Sequence, residues 1–401
     1  MLSVTHPQIL PLVESFPIGI MPLWLNVDNI PKLVVKAPKE AILAAKLNKG
    51  FSIYTVPLNS NGILTYALIS AFFDDADEPL VIYTPMFKEP GVETLKDTIL
   101  TKNLDVYFFD DLNRELLGYE ATLECDPITK KFIKDTPLVQ FTNEAAKVLH
   151  IKMGNWFGRR TEKDDSLAIK VTFNEALFTE DLFIQDMRPE NHSYQGSSSN
   201  SYSQLVRDEP GEFQERDIAQ SLRRIFRSNS IYLNPLRVQD KEEIADLLVI
   251  TNKNVLFIQA KDSPNIERVL KNSISRKKST TQKSLKKACK QSKGAVNYAK
   301  STSSMKMIIG GDEKSISLEG REIKVLIVVK ELFNDEYPVY SEILLALAND
   351  IRTPCIAIDY NELLMWTSNL ESEDAFYSTF DQVFIRGVND GKFTRLPRGI
   401  I

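Results

Sequence analysis

The sequence is poor in the residues on which secretion and much enzyme chemistry depend. It has three cysteines and three histidines in 401 residues, and Cys125, Cys289 and Cys355 show neither metal-ligand nor disulfide spacing. No apolar run approaches the roughly 18 residues of a membrane span, and the N-terminus lacks a basic region followed by an apolar core. The sequence therefore predicts a cytoplasmic protein with no membrane segment, and it gives no support to histidine-based nuclease or hydrolase chemistry.

A glycine-rich phosphate loop is also missing. The nearest candidate, Asn59-Ser-Asn-Gly62, lacks the lysine and the spacing of a nucleotide-binding turn. The length and a hydrophobic content of 43% predict two or three domains, each with its own hydrophobic core. Residues 189–207 are polar and rich in Ser and Asn, which predicts a linker between a domain at 1–188 and a domain at 208–401.

The first half predicts an α/β or α+β domain. The apolar segments 63–73 and 92–100 predict helices between strands. The acidic pairs Asp74-Asp75 and Asp110-Asp111 stand at the ends of predicted elements, which is typical of solvated turns. The role of this half stays open among target recognition, dimerisation and sensing. The predicted strands are 51–56, 79–83, 104–109 and 167–173.

The most informative segment runs from Glu243 to Lys261. Two apolar runs, 247–250 and 255–258, flank Thr-Asn-Lys-Asn, which predicts a β-hairpin with its turn at Asn252-Lys253. A two-residue turn places Asp246 directly opposite Gln259, at a Cβ separation of roughly 4.5–5.5 Å. Lys261 lies two residues beyond Gln259 and so shares its face of the strand. A carboxylate, an amide oxygen and an ammonium therefore converge at one end of the hairpin.

A helix that carries an acid precedes the hairpin. Ile218, Leu222 and Ile225 recur at helical spacing, and Glu215 continues that stripe one turn toward the N-terminus. An acid on a buried stripe faces the sheet instead of water. Glu212 lies on nearly the same face, so the sequence leaves both acids open and favours Glu215, which is nearer the packed part of the helix.

This order of features resembles the PD-(D/E)XK nuclease superfamily, and most closely its Mrr-type and nuclease-related branches, in which Gln replaces the Glu of the E-x-K element. The matching residues are Asp246 and Gln259-Ala260-Lys261, and the resemblance covers residues 208–385. It implies a C-terminal restriction-endonuclease-like fold, a mixed sheet flanked by helices. The downstream pattern agrees, with strands predicted at 323–329 and 355–359 and helices predicted at 340–347 and from 362.

The resemblance also implies a site for Mg²⁺ (or Mn²⁺), a hard cation that prefers oxygen ligands. The implied metal ligands are the Asp246 carboxylate, the Gln259 amide oxygen, the Ala260 main-chain carbonyl and a second carboxylate from Glu215. Lys261 would orient the attacking water or stabilise charge that develops on the phosphate. Glu243 is either an outer ligand or a solvated residue at the strand edge.

A strongly basic segment follows the hairpin. Between Arg268 and Lys300 there are eleven Lys or Arg residues and no acid, although the whole chain has a net charge of −5. The part from Lys283 onward predicts a helix with lysines on one side, and Ser273–Thr281 predicts a mobile loop that could order on nucleic acid. Such a segment is typical of a surface that contacts a polyanion. The candidate nucleic-acid contacts are Lys277, Lys278, Lys286, Lys287 and Lys290.

The sequence thus predicts a metal-dependent phosphodiesterase, a DNA endonuclease of bacterial or phage-defence type that acts on double-stranded DNA. The alternative is a nucleic-acid-binding or regulatory protein that keeps the nuclease fold without efficient cleavage. The target, the choice between DNA and RNA, a homo-oligomeric state and any activating partner all stay open.

Overall fold

A computed structural model of the protein describes residues 1–25, 30–60, 62–74, 79–89 and 91–395. It is a mixed α/β structure with 40% helix and 30% strand. The chain divides into two compact units, the first formed by residues 1–182, 204–206 and 265–271, and the second by 183–203, 207–264 and 272–401. No helix among the described residues is long and apolar enough to cross a bilayer.

The first unit is built on an eight-stranded sheet in the order β1-β2-β6-β7-β8-β3-β4-β5. In the described residues only β2 and β6 pair in parallel. Its strands are β1 Gly19–Leu23, β2 Lys32–Lys36, β3 Gly50–Ser60, β4 Ile63–Phe72, β5 Leu80–Pro85, β6 Asn103–Phe109, β7 Glu115–Glu124 and β8 Ile169–Ala176. Its helices are α1 Leu2–Thr5, α2 Leu10–Ser15, α3 Lys39–Leu47, α4 Val92–Ile99, α5 Pro127–Asp135, α6 Asn143–Phe157, α7 Glu162–Leu167 and α9 Glu267–Leu270.

The prediction of a helix at 63–73 is wrong, because this segment forms β4. The strand is antiparallel to β3 from Ser60↔Ile63 to Ser52↔Ala71. Its last eight residues are buried on both faces, so the apolar–polar alternation that identifies a half-exposed strand is missing. Asn-Gly at 61–62 is the usual two-residue turn signal of a hairpin, and Gly62 has a φ of 83°. The predicted helix at 92–100 and the four predicted strands are confirmed.

The acidic pair Asp110-Asp111 is buried, although its sequence position predicts a solvated turn. Asp110 accepts hydrogen bonds from the main-chain N–H groups of Leu112 and Arg114 and from Arg114 Nε (2.8 Å). Lys39 Nζ lies 3.5 Å from Asp110 and 3.8 Å from Asp111. Two cations from the same unit therefore compensate the burial of this pair, and nothing in the local sequence reveals that Lys39 reaches it.

The second unit has a five-stranded mixed sheet in the order β11-β13-β14-β17-β18. Its strands are β9 Ile184–Asp186, β10 Ser201–Ser203, β11 Ile231–Leu233, β12 Leu236–Arg237, β13 Leu247–Ile250, β14 Asn254–Lys261, β15 Ser304–Ile309, β16 Asp312–Ser317, β17 Glu322–Val329 and β18 Cys355–Asp359. Its helices are α8 Gly211–Leu222, α10 Ile274–Lys300, α11 Tyr337–Ile351, α12 Tyr360–Asn369 and α13 Glu373–Asn389. The strands predicted at 323–329 and 355–359 and the helices predicted at 340–347 and from 362 are confirmed.

The central strand of this sheet is β14, the second strand of the predicted hairpin. β11, β13 and β14 form an antiparallel meander, whereas β17 and β18 continue the sheet in parallel to β14. α10 lies in the connection from β14 to β17, and α11 lies in the connection from β17 to β18. Both connections join parallel neighbours and run in the same direction across the sheet, so right-handed crossovers place both helices on one face of the sheet. α10 and α11 pack against each other on that face. α8 packs against β11, β14 and α12. The C-terminal end of β14 is thus held inside the unit by partners on both sides.

Residues 189–203 have the composition of a linker but are ordered within the second unit. Tyr194 is buried in the core of that unit. Gln195 adds to the sheet beside β11, since its N–H donates to Ile231 and its carbonyl accepts from Leu233, both at 2.9 Å. β10 pairs antiparallel with β9. The first unit ends at residue 182, before the polar stretch that was predicted as the linker, and residues 204–206 of that stretch also belong to the first unit.

The basic segment is helical at 268–270, in α9, and from residue 274 to its end, in α10. Residues 274–281, predicted as part of a mobile loop, form the first turns of α10. Ser273 caps the helix by accepting a hydrogen bond from the Arg276 N–H, and two acids that precede α11, Asp335 and Glu336, accept from Lys278 and Gln282. These partners come from a distant part of the chain, so the local composition could not indicate them.

Candidate active site

The hairpin has the register that its turn predicts. Leu247 pairs with Ile258 and Ile250 pairs with Val255, and this register continued by one residue places Asp246 opposite Gln259. Both residues are buried, with exposed fractions of 4% and 2%. The backbone geometry therefore agrees with the prediction that Asp246 and Gln259 face each other across the two strands at one end of the hairpin.

Asp246 is held by the opposite strand and by the predicted lysine. Its Oδ2 accepts the Ala260 main-chain N–H at 2.5 Å and Lys261 Nζ at 2.9 Å. Lys261 Nζ also donates to the Ala260 main-chain oxygen at 2.6 Å. A carboxylate with two donors and an ammonium with two acceptors are thereby fixed within one hydrogen-bond network.

Gln259 differs from its neighbours because its buried oxygen lacks a donor. The Oε1 atom is inaccessible to solvent and accepts no hydrogen bond from the described residues. A buried amide oxygen without a partner costs roughly 1–3 kcal/mol. A hydrogen-bond donor or a cation bound at this oxygen would compensate that cost.

Of the two candidate helix acids, the structure brings Glu215 to the site. Glu212 is exposed, and its carboxylate lies 3.7 Å from Arg216 one turn along α8. Glu215 is partly buried, and its Oε2 accepts a hydrogen bond from Asn234 Nδ2 at 3.0 Å.

Asn234, which lies directly after β11, was not among the predicted site residues. Its main-chain N–H donates to the Asp246 carbonyl at 3.0 Å, while its side chain holds Glu215. Asn234 has a φ of 49°, a left-handed conformation that Asn tolerates better than most residues. The Asn-Pro dipeptide at 234–235 signals a turn, but no sequence signal shows where the side chain points.

Glu215 and Glu243 both interact with the charge of Asp246. Burial of its carboxyl, together with the charges of Asp246 and Glu243, raises the pKa of Glu215 to about 7, although the hydrogen bond from Asn234 acts to lower this pKa. Partial burial and the Asp246 charge also raise the pKa of Glu243. Glu243 is exposed as a residue, so it lies at the rim of the site, where its charge acts on the other two acids.

These residues fit a hard cation. Two carboxylates that repel each other, a buried amide oxygen without a donor and a main-chain carbonyl all gain from an added positive charge. No group of three or more His, Cys, Asp or Glu side chains that could hold a metal occurs in the described part of the chain. The candidate donor set instead joins Asp246 and Glu215 to the neutral oxygens of Gln259 and Ala260.

Part of the predicted basic surface is neutralised within the protein. Lys278 forms an ion pair with Asp335, and Lys277 is only partly exposed. Lys286, Lys287 and Lys290 are exposed on α10, and the same face carries two further exposed cations. We define the basic face as Arg276, Lys283, Lys286, Lys287 and Lys290.

Because Glu215 is buried beside a like charge, we expect Glu215→Gln to stabilise the metal-free protein. The folded-state pKa lies above the ordinary value, so wild-type stability falls as the pH rises from about 4.5 to about 7. At pH 8 the variant should gain on the order of 1–3 kcal/mol, and near pH 4.5 the gain should vanish. Thermal melting in EDTA at both pH values measures this. Glu212→Gln is the matched control, and an equal gain in both variants would contradict the site electrostatics.

Neither a protein-family model nor a curated protein matches this chain.

Proposed function

We propose that the second unit is a metal-dependent phosphodiesterase that cleaves double-stranded DNA, of the PD-(D/E)XK type. The observation that carries the proposal is the contact of Asp246 with Lys261 beside Glu215, at the end of the hairpin where Gln259 stands opposite Asp246 with a buried oxygen that has no donor among the described residues. The chain order supports it: an acid-bearing helix, a hairpin with its polar residues in register, and a basic helix.

Each side chain has a chemical role in this proposal. Asp246, Glu215, Gln259 and the Ala260 carbonyl would hold Mg²⁺ or Mn²⁺. Such an ion, when bound, polarises a phosphate and lowers the pKa of a bound water. Lys261 is tethered to the site by its contacts with Asp246 and Ala260, and its ammonium would stabilise negative charge that develops on the phosphate oxygens.

The basic face of α10 would bind the DNA backbone. Its five cations lie along about four turns of helix, and α10 is the long helix in the connection from β14 to β17. Lysine contacts to phosphate position a duplex without reading its sequence. The first unit would then select the target or control the activity.

One observation favours a second function, nucleic-acid binding without efficient cleavage. Lys261 Nζ donates to both Asp246 and the Ala260 carbonyl, so in this structure the ammonium compensates two of the oxygens proposed to hold the cation. Gln259 also contributes no charge. A site of this kind binds a cation more weakly than one with a third carboxylate.

The deciding experiment is incubation of supercoiled plasmid with the protein in Mg²⁺, in Mn²⁺ and in EDTA. We expect nicked and linear DNA with either ion and intact plasmid in EDTA. Calorimetric titration with Mn²⁺, without DNA, measures the metal site separately. DNA binding without cleavage in either ion would favour the second function, and absence of both Mn²⁺ binding and cleavage would overturn the proposed metal site.

Replacing Gln259 by Glu should tighten the metal site. The new carboxylate would stand where a buried oxygen now has no donor, and a third negative charge raises the affinity of an oxygen site for a divalent ion. We expect the Mn²⁺ dissociation constant to fall by about 10-fold, or roughly 1.4 kcal/mol. Gln239→Glu adds the same charge at an exposed position of the same unit and should leave the constant unchanged. Equal affinity in the wild type and Gln259→Glu would remove Gln259 from the ligand set.

A further inference from the structure

Asn234 connects the two acids of the site. Its side-chain Nδ2 donates to Glu215 Oε2 at 3.0 Å, and its main-chain N–H donates to the Asp246 carbonyl at 3.0 Å. One residue thus contacts the helix acid through its side chain and the hairpin acid through its backbone. Glu215 lies on α8 and Asp246 directly precedes β13, and Asn234 contacts both of them from the turn after β11.

The hydrogen bond from Asn234 fixes the direction of the Glu215 carboxylate. Glu215 is only partly buried, so packing alone leaves its side chain room to rotate toward solvent. The Asn234 amide therefore holds the carboxylate in place at the site.

A second atom of Asn234 is also directed into the protein. Its Oδ1 is inaccessible to solvent and accepts no hydrogen bond from the described residues. Gly adopts a left-handed conformation without strain and would bury no side-chain oxygen at this turn. Asn buries an oxygen without a donor, so the left-handed turn alone does not explain why Asn stands here. The hydrogen bond that its Nδ2 donates to Glu215 is a reason that does.

We propose that Asn234 is a positioning residue that keeps Glu215 oriented toward the cation site. This inference rests on the proposed function, because it assigns Asn234 to the support of the same metal ligands. Residues that hydrogen-bond to ligating carboxylates set the orientation of those ligands, and their loss typically costs about 10- to 100-fold in metal affinity.

One variant separates the side chain from the backbone. Asn234→Gly keeps the left-handed turn and the N–H that donates to Asp246, and it removes only the amide. We expect the Mn²⁺ dissociation constant, measured by calorimetry without DNA, to rise about 10-fold or more in Asn234→Gly.

A double-mutant cycle tests that Asn234 acts through Glu215. In a Glu215→Ala background, Asn234→Gly should have no further effect on Mn²⁺ affinity, because the group that it positions is absent. An additional loss in that background would contradict positioning through Glu215 and indicate a direct or structural role. Melting temperatures of the metal-free variants show whether a loss of affinity merely follows a loss of fold.

The outcomes distinguish this inference from the function on which it rests. If the wild type binds Mn²⁺ and Asn234→Gly binds it equally well, the positioning role is overturned and the proposed function stands. If the wild type binds no Mn²⁺, the proposed metal site fails and the positioning role fails with it. Asn113→Gly, at another left-handed Asn (φ 65°) in the first unit, is the control and should leave Mn²⁺ affinity unchanged.

Discussion

Lys261→Met is expected to lower the rate of plasmid cleavage by at least about 100-fold, because removal of one preorganised charge at a reacting centre typically costs 100- to 1,000-fold. Methionine keeps the length of the apolar stem while it removes the ammonium that lies 2.9 Å from Asp246. Asp246→Asn should cause a loss at least as large, since it removes a negative charge from the metal site but retains an oxygen that can accept the Ala260 N–H. Single-turnover cleavage with saturating Mn²⁺ measures both effects.

The same hairpin offers a matched control. Lys253 lies in the turn at the other end of the hairpin, with a side chain that is 77% exposed and a surface contact to Asp374. Lys253→Met should cleave at the wild-type rate. Mn²⁺ binding and circular dichroism should stay close to wild type in Lys261→Met, which separates a catalytic loss from unfolding. Cleavage by Lys261→Met at the rate of Lys253→Met would show that the lysine has no part in the chemistry.

Replacement of Lys286, Lys287 and Lys290 by Gln is expected to weaken duplex binding by up to roughly 100-fold at 0.15 M salt and to reduce the slope of log affinity against log salt by up to about 2.7. Each phosphate contact contributes about 0.9 to that slope on B-DNA, and all three lysines are exposed. The loss should be similar for duplexes of different sequence, since contacts to phosphate read no bases.

The first unit provides a control with the same spacing and the same change of charge. Lys130, Lys131 and Lys134 are exposed on α5 with the separations of the α10 set. Their replacement by Gln should leave the salt slope almost unchanged. The titration is performed in Ca²⁺, which is meant to occupy the site with little turnover. Equal losses in the two triple variants would mean that the basic face of α10 makes no specific contact with the duplex.

Local patterns predicted the backbone of the candidate site better than its surroundings. The hairpin and its register follow from a two-residue turn between apolar runs, so the meeting of Asp246 and Gln259 was predictable. Periodicity favoured Glu215, and the structure supports that choice, because Glu212 is exposed whereas Glu215 is partly buried and accepts a hydrogen bond from Asn234. Asn234 was missed because its role depends on three elements that meet in space.

The errors in the fold have the same cause. β4 was predicted as a helix because burial on both faces removes the alternation that would mark a strand. The first turns of α10 were predicted as a loop because their partners, Asp335 and Glu336, lie more than fifty residues away. In each case tertiary packing determined the secondary structure against the preference of the local sequence. Such contacts between distant segments cannot be read from a single sequence.

The position of β14 also determines how the candidate site fluctuates. Residues 254–260 are buried, and the strand is bonded to β13 on one side and to β17 on the other. Core strands of this kind open only at a high free energy, up to that of global unfolding, so their opening is rare. The main chain at Gln259 and Lys261 is therefore already ordered before a ligand binds. The conformational entropy lost on binding would come from side chains and from the ligand, and not from this main chain.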